Sequence, residues 1–452
     1  MTRAEFLRIT SGVALVSSAA AAAAEPQQQL FYKPKAAWSG DYIPFYANGQ
    51  FYLFYLHDWR DKTKFGEGTP WYLITTKDFI HFAEHGEMLA RGSRDQQDPY
   101  VFTGSVVQDG GRYHIFYTGH NPYLRKVGKP EQGVMHAVSD DLLHWKKIPE
   151  DTFFSPGGMY ERNDWRDPFV FWNDEAREYW MLLCARLKTG PLRRRGCTLL
   201  CTSKNLTQWT VRQRLYSPGL YSAHECPDLF KMGDWWYLLF SEFSDATKTR
   251  YRMARSLKGP WLTPREDTFD GRAFYAAKTA TDGERRFLFG WNPTRTDSKD
   301  DGSWNWGGNL VVHEVHQEPD GSLAVRVPDT LNHAFGNAVS DSGTIRAPGS
   351  YAWKIVGPMP DVCRLHASLD FEDGTRACGL MLHVDDEGEA AYYIRLEPLS
   401  NRLVFDCWPR PGDQPFMADL ERPVDLSSSR SVEWRFSSTT RLASFISTTA
   451  LP

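Results

Sequence analysis

No stretch of this sequence repeats its apolar residues at helical spacing over a useful length, which sets aside helical bundles and helix-covered sheets. There is no excess of one charge either. The 52 Lys and Arg against 56 Asp and Glu leave a net charge of −4. A chain so balanced has no electrostatic footprint for nucleic acid or an anionic membrane surface. The one basic run, Arg193-Arg194-Arg195, reads as a solvated loop. Glycine pairs at Gly157-Gly158 and Gly307-Gly308 lack the strand–loop–helix setting of a phosphate cradle and read as turns. Cysteine is sparse and odd in number: seven residues, so an exported chain keeps at least one thiol or an intermolecular bond. Cys197 and Cys201 resemble half a zinc site, but they fall in an apparent strand. Four residues apart there, they are separated by about 13 Å, too far for a disulfide. No histidine cluster completes a metal site, so they read as packing residues, and neither metal nor cofactor is expected.

Apolar runs long enough to matter occur only at the N-terminus. Arg3 and Arg8 precede a small and apolar stretch from Ile9 to Ala24, and Ala22-Ala23-Ala24 offers a cleavage site before Glu25. Residues 1–24 are therefore expected to be a signal peptide, and the protein secreted or periplasmic, with no membrane association once it is removed. What the sequence has in abundance is aromatic residues, 14% of the chain, with 17 Trp and 20 Tyr. Such residues favour pleated sheets and also stack on sugar rings.

The decisive feature is a repeat. A turn, an aromatic-rich strand, a gap and a second strand ending in a Ser/Asp-x-Leu-x-x-Trp-like turn recur five times. The aromatic strands are Gly49–Tyr55, Gly111–Tyr117, Glu178–Leu183, Gly233–Phe240 and Gly283–Trp291. Five copies of about 50–65 residues read as blades of four-stranded sheet around a channel. The expected fold is all-β: a five-bladed β-propeller over residues 31–327, then a C-terminal β-sandwich over residues 351–452. Between them lies a Gly/Ser/Ala-rich linker, Asn332 to Ser350. Alternating segments near Leu365–Phe371, Cys378–Val384, Ala391–Leu396 and Arg402–Cys407 support the sandwich. The Ser/Thr-rich tail from Ser427 shows no convincing strand pair, so an incomplete sandwich is expected.

Polar groups recur just upstream of each aromatic strand. Asp41 lies ten residues before Phe51, Thr103 ten before Tyr113, Asp167 twelve before Tyr179, Glu225 ten before Trp235 and Tyr275 twelve before Phe287. Innermost strands of a propeller share one channel mouth, so groups at equivalent offsets converge. That puts three carboxylates around one cavity, and two carboxylates flanking a sugar bond are the minimal machinery of glycoside hydrolysis, in which one acid attacks or activates water and the other protonates the leaving oxygen. Arg166 is expected to keep Asp167 ionised.

Trp38-Ser-Gly-Asp41, Phe102-Thr-Gly-Ser105, Trp165-Arg-Asp-Pro168, Glu225-Cys-Pro227 and Phe274-Tyr-Ala-Ala277 resemble, in this order, the motifs of glycoside hydrolase family 32, which includes invertases, levanases, inulinases and fructosyltransferases. The resemblance runs from about Trp38 to Leu323. It implies Asp41 as nucleophile, Glu225 as general acid/base and Asp167 as the transition-state stabiliser, with Arg166 beside it. It further implies that Trp38, Trp71, Phe102, Thr103, Ser105 and Tyr275 bind a carbohydrate, either sucrose, a fructan or another furanoside. The family's first motif usually reads Trp-Met-Asn-Asp-Pro-Asn-Gly, whereas Asp41 is followed here by Tyr42-Ile43-Pro44-Phe45. That departure leaves two other readings open: an inverting arabinofuranosidase-like hydrolase on a related propeller, and a catalytically silent sugar-binding protein.

Overall fold

Alternation along a strand sends successive side chains to opposite faces, and here the two faces of each blade serve two different neighbours. The computed structural model describes residues 27–450 except 272–273, 301, 337, 361, 410–419, 425, 427–429 and 440–441. The expected signal segment lies outside the described residues. Among the described residues no helical element exceeds four residues. Blade one comprises Trp38–Ala47, Gln50–Asp58, Trp71–Thr76 and His81–Leu89. Blade two is built from Tyr100–Asp109, Arg112–His120, Gln132–Ser139 and Lys146–Lys147, and blade three from Tyr160–Asn173, Glu178–Leu187, Gly196–Ser203 and Thr210–Tyr216. Blade four has Glu225–Met232, Trp235–Glu242 and Lys248–Ala254, while blade five has Tyr275–Thr281, Arg286–Arg295, Trp304–Gln317 and Leu323–Arg326. Each blade is an antiparallel meander. Blade four departs from the expected four strands: beyond its third strand the described residues form only two isolated bridges, Met253–Leu262 and Arg250–Thr268.

The ring is held by side chains rather than by a shared ladder. Leu53 faces blade five, beside Phe287 and Phe289, whereas Phe54 faces blade two, beside Ile115 and Tyr117. Val106 turns toward blade one and its neighbour Val107 toward blade three. The same interdigitation joins blades three and four through Leu182, Leu200 and Leu238, and blades four and five through Leu239, Leu288 and Val311. Each such buried side chain is worth about 1.5–3 kcal/mol. By contrast, only one ladder pair, Ser39 with Gly308, links two blades among the described residues, reinforced by Ser39 Oγ donating to the Gly308 carbonyl at 2.9 Å. Cys197 and Cys201 are fully buried in the core between blades two and three, as packing residues should be.

Two further sheets form the C-terminal sandwich: Cys378–Leu382, Ala391–Glu397, Arg402–Trp408 and Leu420–Pro423 on one side, and Cys363–Asp370, Ser431–Thr439 and Leu442–Ala450 on the other. The tail thus corrects the expectation that it lacks a strand pair. It forms a hairpin whose first strand also pairs with Cys363–Asp370. The Ser and Thr residues that suggested loop share this segment with Val432, Trp434 and Phe436 at strand period.

The inner strands carry the feature that builds the site. In blades one, three, four and five a β-bulge interrupts the pairing at the same place, with two residues opposing one. The first bulged residue has positive φ in every case: Asp41 49°, Asp167 58°, Cys226 49° and Ala276 50°. In blade two Thr103 alone is extra, because Gly104 lets the strand approach its neighbour closely. A Cβ at Gly104 would lie 1.9 Å from the Phe116 carbonyl oxygen. Gly104→Ala should therefore destabilise the propeller by about 3 kcal/mol, seen as a lower midpoint in urea unfolding. An unchanged midpoint would show that this approach does not hold the bulge.

Candidate active site

Asp tolerates the left-handed region better than most residues, so a bulge can aim an aspartate without excessive strain. Two of the freed backbone amides are held by the preceding blade through the residue facing the position just before its own bulge. Thr118 of blade two accepts from Asp167 N at 2.7 Å, and Ser241 of blade four accepts from Ala276 N at 3.0 Å. Trp291, at the same place in blade five, instead donates its indole N–H to Asp41 Oδ1 at 2.9 Å.

Two tiers result. The deeper one consists of the bulged residues. Thr103 Oγ1 donates to Asp41 Oδ2 at 2.6 Å, and Cys226 N donates to Asp167 Oδ2 at 3.0 Å. The Cys226 sulfur lies 3.7 Å from Thr103 Oγ1 and 3.8 Å from Asp167 Oδ2, closing the circle. The shallower tier consists of the residues just before each bulge. Arg166 Nη2 reaches Glu225 Oε1 at 3.0 Å, and Tyr275 OH donates to Glu225 Oε2 at 2.5 Å. Blade one contributes Gly40 here, and the vacated space holds Trp306, whose ring a Cβ would meet at 2.7 Å. Glu225 and Tyr275 are thus equivalent to Arg166, not to Asp41 as the offsets suggested. Asp41, Thr103, Asp167 and Cys226 each stand six residues before the end of their inner strand. In blade four the aromatic strand begins at Trp235 itself, which displaced the count by one.

Burial governs the electrostatics. It pushes the Asp41 carboxyl up to about 6, although the hydrogen bonds from Thr103 and Trp291 pull it back. Asp167 is also raised by burial, against the attraction of Arg166. Arg166, expected to keep Asp167 ionised, opposes that rise without cancelling it. The guanidinium is shared, lying 2.8 Å from Asp164 and 3.0 Å from Glu225 but 3.8 Å from Asp167. His120, stacked at 4.7 Å and 12° on Phe102, is lowered to about 4 by burial, with Arg166 adding to the effect.

The structure therefore brings Asp41, Thr103, Arg166, Asp167, Glu225 and Tyr275 together. It keeps two expected ligands out. Trp71 is 0% exposed and donates its N–H to the Phe102 carbonyl at 3.1 Å, so it supports the wall from behind. Ser105 is buried and accepts from Val170 N at 2.9 Å, locking blade two to blade three. Phe102 is half-buried at the site, and Trp38 lies under two cations, Lys33 at 3.6 Å and Arg60 at 4.7 Å from its ring centre. Sequence reasoning missed Trp291, Trp306, Thr118 and His120. The signal for Trp291 was its place directly opposite Tyr275 in blade five. Tyr42, which stands where the first motif departs, is fully buried and donates to Ser39 Oγ at 2.7 Å. The departure therefore strengthens the joint between blades one and five.

Comparison with known proteins agrees with this geometry. The family described as "Glycosyl hydrolases family 32 N-terminal domain" matches residues 32–316. Sucrose-6-phosphate hydrolase of Escherichia coli is 28% identical over 315 residues, covering 65% of this chain and 62% of that protein. Raffinose invertase of the same organism is 26% identical over 325 residues, covering 65% and 63%. The chain thus spans less than two thirds of the length of these relatives. Among solved structures, fructan 1-exohydrolase IIa from Cichorium intybus superposes with a TM-score of 0.71 at 15% identity, covering 94% of this chain and 91% of that one. Sucrose-6-phosphate hydrolase from Lactobacillus gasseri gives 0.67 at 17%, covering 94% and 88%. At such identities the likeness is one of fold, a five-bladed propeller followed by a sandwich. With the match running through all five blades, the chain belongs to glycosyl hydrolase family 32.

Proposed function

We propose that this protein is a retaining glycoside hydrolase that cleaves β-fructofuranosidic bonds in sucrose or fructans. The observation that carries the reading is the convergence of Asp41, Asp167 and Glu225 from three blades onto two adjoining tiers. In this account the Asp41 carboxylate attacks the anomeric carbon from the deeper tier. Glu225, nearer the solvent, gives a proton to the departing oxygen, and the fructosyl group is left as an ester on Asp41. Water, deprotonated by Glu225, then cleaves that ester, so two inversions return the original configuration. Asp167 would accept from ring hydroxyls and offset positive charge developing on the ring. Thr103 and Trp291 hold the two Asp41 oxygens, while Arg166 and Tyr275 hold those of Glu225, so little reorganisation is required. The names of the relatives, a sucrose-6-phosphate hydrolase and a raffinose invertase, support the fructoside class. The family match gives no support to the arabinofuranosidase-like reading. The Arg3 and Arg8 flank and the apolar run to Ala24 support export, with action outside the cytoplasm.

Replacing the two acids should produce different failures. Asp41→Asn should abolish turnover on every substrate, because no ester can form. Glu225→Gln should lose about 10²–10⁴-fold on sucrose but much less on an aryl fructoside, whose leaving group departs unprotonated. Added azide should rescue Glu225→Gln and yield a fructosyl azide of unchanged anomeric configuration. An inverted azide product would remove Asp41 as nucleophile, and equal loss on all leaving groups would remove Glu225 as acid. A protein that binds sucrose or fructan in calorimetry without turnover would be a silent sugar-binding protein.

The buried nucleophile also predicts the pH profile. Asp41 must be ionised to attack, so kcat/KM should be present above pH about 6 and fall as the pH drops through that value. Thr103→Val removes a donor that stabilises the charged form. It should move this acid limb upward by about one pH unit, read from kcat/KM between pH 4 and 8. A limb that stays in place would mean that Asp41 does not control it.

A further inference from the structure

Below the bulges lies a buried cation that the mechanism above does not use. Lys278 stands in the inner strand of blade five, two residues beyond the bulged Ala276. Its side chain is 1% exposed. It crosses to blade four, where Nζ donates to the Pro227 carbonyl at 2.8 Å. It also reaches blade three, where Nζ lies 5.0 Å from the centre of the Phe169 ring. Pro227 is one residue past the bulged Cys226, and Phe169 is two past the bulged Asp167. The ammonium therefore occupies the layer of the channel directly below the acids, bridging three inner strands.

Among the described residues the ammonium makes one hydrogen bond, to the neutral Pro227 carbonyl, so its position requires negative charge nearby. The charged and titratable groups that act on it come from three inner strands: Asp228 and Cys226 from blade four, Asp167 from blade three and Asp41 from blade one. Asp228 is itself held, accepting from Thr279 N at 2.5 Å. The two buried cations of the site divide their work. Arg166 lies against Asp164, Asp167 and Glu225. Asp41 has neutral hydrogen-bond donors, Thr103 and Trp291, and repulsion from Glu225, and the cation that acts on it is Lys278.

We infer that Lys278 is a positioning residue that acts through Asp41: a fixed positive charge under the funnel that keeps the attacking carboxylate ionised at working pH. The inference rests on the reading of Asp41 as the nucleophile. Burial disfavours the ammonium, but Asp228, Cys226, Asp167 and Asp41 all oppose that loss, so cation and nucleophile support each other's charge.

The test is the pH dependence of kcat/KM on sucrose for Lys278→Met and Lys278→Arg. Lys278→Met should move the acid limb upward by about one pH unit and leave activity on the alkaline side of that limb within a few-fold of the parent. Lys278→Arg, which retains the charge, should restore the limb. Lys278→Met takes one of two buried cations away from Asp228, Arg286 being the other, so Lys278→Met/Asp228→Asn provides a second variant without that weakened acid, and the same upward shift is expected. Uniform loss of activity with the limb unmoved, in whichever variant folds, would overturn the inference and make Lys278 a structural plug. That result would leave the functional reading intact as long as Asp41→Asn is inactive. An active Asp41→Asn enzyme would instead remove the reading itself.

Discussion

The site depends on one backbone device: the β-bulge repeated at the same height of the inner strands, with a left-handed residue at its head in four of the five blades. An unbroken strand would point every second side chain into a blade interface and leave none to meet at the channel. The bulge breaks that alternation once per blade. Left-handed φ at a non-glycine residue costs about 1–3 kcal/mol, and that cost is offset locally. The hydroxyls of Thr118 and Ser241 and the carboxylate of Asp167 satisfy the amides that the bulges release. Every blade is therefore braced by its neighbour at the level of the chemistry, and the site is as rigid as the ring.

The same packing determines the electrostatics. Three carboxylates sealed among interlocked blades repel one another and lose water, which raises Asp41 and Asp167. The protein answers with donors placed one to an oxygen and with two buried cations at different depths, Arg166 between the tiers and Lys278 beneath them. On the proposed mechanism, an attacking carboxylate that is ionised yet poorly solvated is a better nucleophile than one in water.

Much of this was legible in the sequence, for physical reasons that also explain the gaps. Blades could be read because aromatic strands, alternation and tight turns are local signals that recur. The acids could be read because Arg166-Asp167 and Glu225-Cys226 are specific together. What could not be read was tier. A one-residue difference in where the aromatic strand begins placed Glu225 level with Asp41, when its structural counterparts are Arg166 and Tyr275. Nor could exposure be read for Trp71 and Ser105, since a residue in a motif can support a wall as readily as line it. Trp291 and Lys278 were hidden because their roles arise from contacts between blades, across separations of 250 and 51 residues. The C-terminal hairpin was obscured by serine and threonine, which signal turns in a loop but fit a strand when they alternate with Val432, Trp434 and Phe436.

The central claim is that a fructosyl group passes through a covalent bond to Asp41. The most direct test is to quench Glu225→Gln during turnover of an activated aryl fructoside and to locate the label by peptide mass spectrometry. With deglycosylation slowed, the account predicts one fructosyl unit on the peptide that contains Asp41, lost on treatment with azide. A label on another carboxylate, or turnover with no label and an inverted product, would contradict it.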